Sequence, residues 1–435
     1  MKIIKLVIAT VMLTLPALSS HCKPWSLGRT INSALKSSNA ILLKQIDADD
    51  AMIDALTANK SRLPSVSLSA GATVVSDVME LSMPGRTIRF GDYDSYNMMF
   101  QVRQILYDGG RLKALGEAGR IRSKMENHQA VASALMVEYT AKAAFFTLIM
   151  AEEAEKIAAT SIIEAENHLK DVKALFAQGM ALENNVVRAQ LRISTAKMDA
   201  VSSTAELERA RALFRNLLGL TPGEEITVVW DRETMPDVTK VASYHDALMQ
   251  RPEFQAFDAA VTASDNTIEG FRAAGKPSLA LFGAFNYGKP GLDLPQNQWM
   301  HYFSGGVQLN WSIWDWGKVD CDVEKANLSR RRILRSRNEF ERNLAEEISK
   351  AQSESLEAVK RVKLALEATN FSKKNLDLTV SAYQEGMASE TDYDNAHTAH
   401  SRSLLDLARA QTALHMSQAL VDYVTGVHYT GAHNE

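Results

Sequence analysis

Two hydrophobic patterns alternate along this chain. The first has period two. Over residues 64–75, Val66, Leu68, Ala70, Ala72 and Val74 alternate with Ser65, Ser67, Ser69, Gly71 and Thr73. That is the pattern of a strand whose two faces meet different surroundings. Residues 96–106 put Met98, Phe100, Val102 and Leu106 on one face and Asn97, Gln101 and Arg103 on the other. In 307–313, Val307, Leu309, Trp311 and Ile313 alternate with Gln308, Asn310 and Ser312. Residues 277–287 are more apolar throughout, with Leu279, Leu281, Phe285 and Tyr287 on the stronger face. A two-faced strand of about nine to eleven residues suits a membrane β-barrel. It equally suits an ordinary half-buried sheet, and the strands alone leave both open.

The second pattern is helical and very long. Residues 111–178 contain no proline, and their only glycines are Gly116 and Gly119. The tract 318–385 contains neither residue type. Both are rich in Ala, Glu, Lys and Leu. A helix of about 65 residues is roughly 100 Å long at 1.5 Å per residue. Such a helix needs a partner along its length, as in a coiled coil or a ring of helices. Gly179 and Gly386 follow the two tracts and mark where the chain turns back. Glu183-Asn184-Asn185 and Ser389-Glu390-Thr391-Asp392 come next and can cap the returning helices.

The two patterns occur twice in the same order. Gly110 and Gly317, Gly179 and Gly386, and Gly219 and Gly426 are each 207 residues apart. Upstream, Leu63-Pro64-Ser65 corresponds to Lys276-Pro277-Ser278 at an offset of 213, so the first hairpin loop is about six residues longer. Matched spacings of this kind mark an internal duplication. Each repeat reads strand, loop, strand, long helix, turn, helix. The first repeat covers 20–220, with a leading helix, a hairpin over 64–106 and a helical hairpin over 111–218. The second covers 251–426, with a leading helix, a hairpin over 277–313 and a helical hairpin over 318–425. Between them, 221–250 has short-strand and loop character, and 427–435 forms a tail. Asp108 with Gly110, and Asp315 with Gly317, stand where strand becomes helix, the Asp placed to cap and the Gly to ease the turn.

Composition narrows the class. The 435 residues carry a net charge of −4, which argues against a nucleic-acid partner. Two cysteines, Cys22 and Cys321, cannot make a disulfide framework or a metal knuckle. The start, Met1-Lys2-Ile3-Ile4-Lys5 followed by an apolar run to Leu15 and then Pro16-Ala17-Leu18-Ser19, reads as a signal peptide over 1–19. Lipidation at Cys22 is the less favoured alternative, because His21 precedes it. No later charge-free run of 18 residues suggests a spanning helix, so an exported chain would have to cross a membrane as a β-barrel.

In this order, these residues resemble the TolC-like outer-membrane efflux proteins. The resemblance is carried by Leu63-Pro64-Ser65, by 104–111 (QILYDGGR), by Gln178-Gly179-Met180 with Val187-Arg188-Ala189-Gln190, and by Gln250-Arg251-Pro252-Glu253. It covers nearly the whole chain after the leader. It implies a mainly α protein with membrane β-structure: a homotrimer giving a twelve-stranded barrel in the Gram-negative outer membrane and a helical barrel across the periplasm. The implied partners are outer-membrane lipid, a periplasmic adaptor protein and an inner-membrane transporter, in efflux or type I secretion. Gly179, Met180, Gly386 and Met387 would form the periplasmic tips that meet the adaptor. Asp392 falls at a pore-facing aspartate. A second aspartate of that pattern is replaced here by Asn395, and a basic residue by Ala388. Tyr383 matches a gate tyrosine whose acidic partner corresponds to Asn185, so a latch of neutral hydrogen bonds is expected.

Other motifs carry less. His397 and His400 have metal-ligand spacing but no third ligand, and no cofactor is expected. Asp108-Gly109-Gly110-Arg111 lacks the Lys and Ser/Thr of a phosphate loop. No catalytic constellation is evident, so the chain is not read as an enzyme. Trp311, Trp314, Trp316 and Tyr302 suggest an interfacial aromatic belt, or packing between barrel and helices. The alternative to a channel is a periplasmic or surface coiled-coil interaction protein without a pore, which leaves the paired strands unexplained.

Overall fold

The computed structural model describes residues 24–230, 236, 243–292 and 298–428. The expected leader at 1–19, Cys22 and most of the expected tail lie outside the described residues. Helices α1 (Leu27–Ser37) and α2 (Asn39–Lys60) lead into β1 (Ser65–Val74), β2 (Met79–Met83), β3 (Arg86–Phe90) and β4 (Asp94–Tyr107). The chain continues through α3 (Arg111–Ala177), α4 (Glu183–Leu218), α5 (Tyr244–Gln250) and α6 (Pro252–Ala273). It ends with β5 (Ser278–Lys289), β6 (Met300–Asn310), α7 (Lys318–Gln384) and α8 (Glu390–Thr425).

The duplication holds residue by residue. Helices α3 and α7 are both 67 residues, and α4 and α8 both 36, each pair displaced by 207. Helices α2 and α6 are both 22 residues, displaced by 213. Three features differ from the sequence reading. The first hairpin loop is not plain loop but carries its own small sheet, β2 with β3. Strand β6 stops at Asn310, so Trp311 and Ile313 lie beyond it. The segment 221–250, read as strand and loop, ends in helix α5, and among its described residues Val228 forms a bridge with Trp25.

The large sheet has the order β1-β4-β5-β6, all antiparallel. The repeats therefore join through β4 and β5, while β1 and β6 each have one edge without a partner among the described residues. Every residue of β1 is exposed, and large apolar side chains such as Leu68 and Phe303 point out of the sheet.

Helix α3 packs between α2 and α6 near the sheet and between α4 and α8 further along. The helical layer thus reads α2-α3-α6-α7 at one level and α4-α3-α8-α7 at the other. It too is an open, one-layer wall. Gly116 and Gly119 mark the closest approach within it: a Cβ on Gly119 would lie 2.9 Å from the backbone nitrogen of Ala55.

The core sits at mid-length. One cluster joins Trp25, Ile31, Phe145, Phe146, Phe214 and Ile226. A second joins Leu248, Phe254, Leu344, Ile348, Val421 and Val424 at the matching height of the second repeat. By length and composition α3 does hold a stretch apolar enough to cross a membrane, but half of that stretch is buried within the protein. Buried Lys142 bridges Glu138 and Asp422 at 3.3 and 2.9 Å, tying α3 to α8. Arg251 of the quoted Gln-Arg-Pro-Glu motif is also buried; it pairs with Glu253 and donates to the Tyr423 carbonyl at 2.9 Å, satisfying the last turn of α8.

Candidate functional site

The two helical turns lie at the end of the wall opposite the sheet, and both are built the same way. Gly179 and Gly386 take φ of +74°, a left-handed conformation that glycine adopts without steric cost. Met180 N–H then reaches the Leu175 carbonyl at 2.9 Å, and Met387 N–H the Ala382 carbonyl at 2.8 Å. These are Schellman terminations that satisfy the orphan carbonyls of α3 and α7. Met180 and Met387 are left largely exposed at the tips, 67% and 72%.

The starts of the returning helices differ. In the second repeat Ser389 caps α8 through a capping box with Asp392. Asp392 is exposed, accepts from Ser389 N at 3.0 Å and Oγ at 2.6 Å, and these bonds hold its carboxyl below the usual range. In the first repeat the N-cap is Leu182, and no side chain caps α4. The expectation that Glu183-Asn184-Asn185 supplies a cap is therefore corrected: Glu183 is already the first helical residue.

Behind the turns the two helical hairpins are tied together. Glu390, only 5% exposed, accepts from His168 Nε2 at 2.7 Å and from the Tyr383 hydroxyl at 2.6 Å. His168 is on α3, so this carboxylate links the hairpins. Its ring stacks on Tyr393, with centroids 3.8 Å apart. Burial disfavours the charged form of Glu390, but the bonds from His168 and Tyr383 outweigh it and hold the carboxyl below its usual range. Burial, and then the Glu390 bond, pushes the Tyr383 phenol upward. Asn185 acts on that phenol in the opposite sense, lowering its pKa.

Three further contacts join α3 and α4 to α8. Arg192 pairs with Asp394 at 2.9 Å, Arg188 donates to Thr391 Oγ1, and His397 Nε2 lies 3.2 Å from Glu164. His397 is buried. Despite Glu164, burial and the Arg192 charge lower its pKa to about 4, so the ring is neutral at ordinary pH. The expectation of purely neutral bonds here is corrected: the Glu390 carboxylate and the Arg192–Asp394 ion pair join the two hairpins. Asn395 is exposed on α8, beside rather than within this network.

Sequence reasoning missed Glu390, His168 and Arg192. Glu390 stood among residues read only as a cap, and its partner lies 222 positions away. His397 and His400 do not converge: His400 Nδ1 faces Ser372 Oγ at 3.2 Å. Among the described residues no group of three or more His, Cys, Asp or Glu could hold a metal ion.

At the other end, the strand-to-helix junctions also duplicate. Asp108 accepts from Gly110 N at 3.0 Å and Leu112 N at 2.7 Å. Asp315 accepts from Gly317 N at 3.0 Å and Val319 N at 2.9 Å. The N-cap position itself is the glycine in both, so each Asp works from two residues before it rather than as the cap.

Comparison with known proteins fits this geometry. A family model described as outer membrane efflux protein matches residues 30–220 and 243–427. The chain is 22% identical over 256 residues to Toxin and drug export protein A of Aggregatibacter actinomycetemcomitans, covering 56% of this chain and 55% of that protein. That match spans little more than half of the relative's length. A solved structure of CusC aligns with a TM-score of 0.79 at 16% identity, covering 92% of each chain. The Campylobacter jejuni CmeC outer membrane channel aligns with a TM-score of 0.79 at 18% identity, covering 94% of this chain and 87% of that one. At these identities the structures show a shared fold.

Proposed function

The chain belongs to the outer membrane efflux protein family, and from that premise we propose that three copies close into one export conduit. The observation that carries this reading is the pair of free edges. Strands β1 and β6 are each paired on one side only among the described residues, and the helical wall is open at the same two sides. Four strands cannot form a membrane barrel, since each unsatisfied backbone group in lipid is costly. Three copies supply twelve antiparallel strands and leave no edge. The helices, about 100 Å long, continue the barrel as a tunnel across the periplasm.

In this reading the protein is a passive channel, not an enzyme, and the energy comes from an inner-membrane transporter through a periplasmic adaptor. The signal peptide at 1–19 delivers the chain to the Gram-negative outer membrane. The tips with Gly179, Met180, Gly386 and Met387 meet the adaptor, their exposed methionines offering adaptable apolar contact. Asp392 and Asn395 line the constriction. Tyr383, Asn185 and the buried Glu390–His168 pair latch the second hairpin to the first, so opening the tunnel requires these bonds to break. That one relative is named for toxin and drug export supports reading the cargo as small molecules or polypeptides.

Outer-membrane fractions run without boiling test the reading. It expects a band at trimer mass that collapses to protomer on heating. A chain recovered only as soluble monomer would favour the coiled-coil protein without a pore.

A further inference from the structure

One residue breaks the duplication where it is otherwise strictest. Gly109 and Trp316 are counterparts, 207 apart, at the two strand-to-helix junctions. Both take left-handed backbone, φ +71° and +58°, and Trp316 is the one non-glycine with positive φ among the described residues. It is also 88% exposed. Its ring meets Trp314 edge-on, with centroids 5.7 Å apart, but that contact leaves it exposed and does not account for a large apolar side chain in the conformation that glycine favours.

The first repeat shows what normally sits at this place. The turn from α6 into β5 packs directly on Gly109: a Cβ there would lie 2.8 Å from the Ala273 carbonyl oxygen and 2.8 Å from Lys276 Cβ. This packing follows from the pairing of β4 with β5. The counterpart of that pairing is β6 with β1, which a single chain does not contain. It can exist only between copies, and so this inference rests on the trimer proposed above.

The offsets can be checked inside the chain. Shifting β1 by 213 and β4 by 207 turns the observed pair Ser65 with Arg103 into Ser278 with Asn310, which is the pair observed between β5 and β6. The rule extends to side chains. Gln104 Nε2 donates to the Arg62 carbonyl, and its counterpart Trp311 Nε1 donates to the Gly275 carbonyl. Applied to β4 and β5, where Phe100 faces Phe285, the same shifts set Val307 of one copy opposite Ala72 of the next. They also set Trp316 against the turn containing Lys60 and Leu63, the counterparts of Ala273 and Lys276.

We propose that Trp316 is a wedge at the boundary between copies, seated on the 60–63 turn of the neighbouring chain and keyed to its Leu63. An indole cannot occupy the space that closes on Gly109, so the boundary between copies is wider than the junction within a chain by the depth of one ring. The chemistry changes in step. Where Lys276 faces a glycine, donating to its carbonyl at 3.4 Å, exposed Leu63 faces an exposed tryptophan. The apolar pair appears only at the boundary, which distinguishes self-association from the internal pairing.

Paired cysteines test this in the full chain, with Cys22→Ser and Cys321→Ser to remove both native thiols and single-cysteine variants as controls. Trp316→Cys with Leu63→Cys is expected to give covalent dimers and trimers on oxidation, as is the strand pair Val307→Cys with Ala72→Cys. Trp316→Gly relieves the backbone, so it leaves the protomer folded. It is nevertheless expected to shift dissociation of unboiled trimers in detergent to lower temperature, while Trp316→Phe holds near the parent. Trimers in which 307 and 72 crosslink but 316 and 63 do not, or a Trp316→Gly trimer as heat-resistant as the parent, overturn the wedge. Trimers in which neither pair crosslinks overturn the register. A chain that forms no trimers overturns the underlying reading as well.

Discussion

Glu390→Gln is the sharpest perturbation of the latch. The side chain keeps its size but loses its charge. In the parent, a buried carboxylate accepts two short hydrogen bonds, 2.6 Å from Tyr383 and 2.7 Å from His168. Hydrogen bonds to a charged group contribute about 1.5–3 kcal/mol, against about 1 kcal/mol for a neutral pair. A glutamine carbonyl can keep one of the two at the weaker strength, so the latch loses roughly 2–5 kcal/mol. If that energy holds the hairpins in the closed arrangement, the closed state is disfavoured by about 30- to 4,000-fold. Tyr383→Phe removes one of the bonds and falls lower in the series, and Asn185→Ala lower still. The assay is single-channel recording of the reconstituted full chain, with trimer mass and helix content as controls. Conductance or open fraction should rise in the order Asn185→Ala, Tyr383→Phe, Glu390→Gln. Intact trimers whose conductance is the same in all three variants and the parent would refute the latch.

Further outcomes follow from the rest of the structure. Lys142→Ala removes the cation from the buried Glu138 and half-buried Asp422, and should lower stability by about 3–5 kcal/mol, read by chemical denaturation. His397 should give an acid dependence. Its pKa is depressed to about 4 in the folded chain, so the unfolded chain takes up the proton first as pH falls. Its contribution is complete above about pH 6.5 and is lost between there and about pH 4, up to about 3 kcal/mol. Melting curves of His397→Gln should fall less over that interval than the parent's, and equal slopes would count against the assignment. Gly119→Ala should melt below the parent, because the new methyl meets Ala55 backbone at 2.9–3.1 Å. Gly116→Ala meets only the Asn59 amide and should melt at or above it, since alanine favours helix by about 1 kcal/mol; the reverse order would show that α2 can move off α3.

Much of the architecture was legible in the order of residues, because an internal duplication is its own control. Glycines at fixed offsets marked the turns, and the absence of proline and glycine over 318–385 fixed the extent of α7. Period-two alternation found the strands but not their neighbours: nothing local says that β4 pairs with β5 across the repeats. The hairpin β2–β3 escaped because Met79–Met83 and Arg86–Phe90 are too short for a clear period. The proposed gate was legible only in part. Tyr383 and Asn185 stood beside recognisable turns, whereas the Glu390–His168 pair joins helices whose facing depends on how two long hairpins cross. Trp311 was read as strand because alternation continued past the point where backbone pairing stops.

The central claim is that this chain is one third of a membrane channel. Planar-bilayer recording of full-length protein extracted from outer membranes tests it most directly. The account predicts discrete conductance steps carried by a trimeric species, enlarged by Glu390→Gln. Membrane-extracted protein of defined trimer mass that gives no steps, in parent and variant alike, would contradict it.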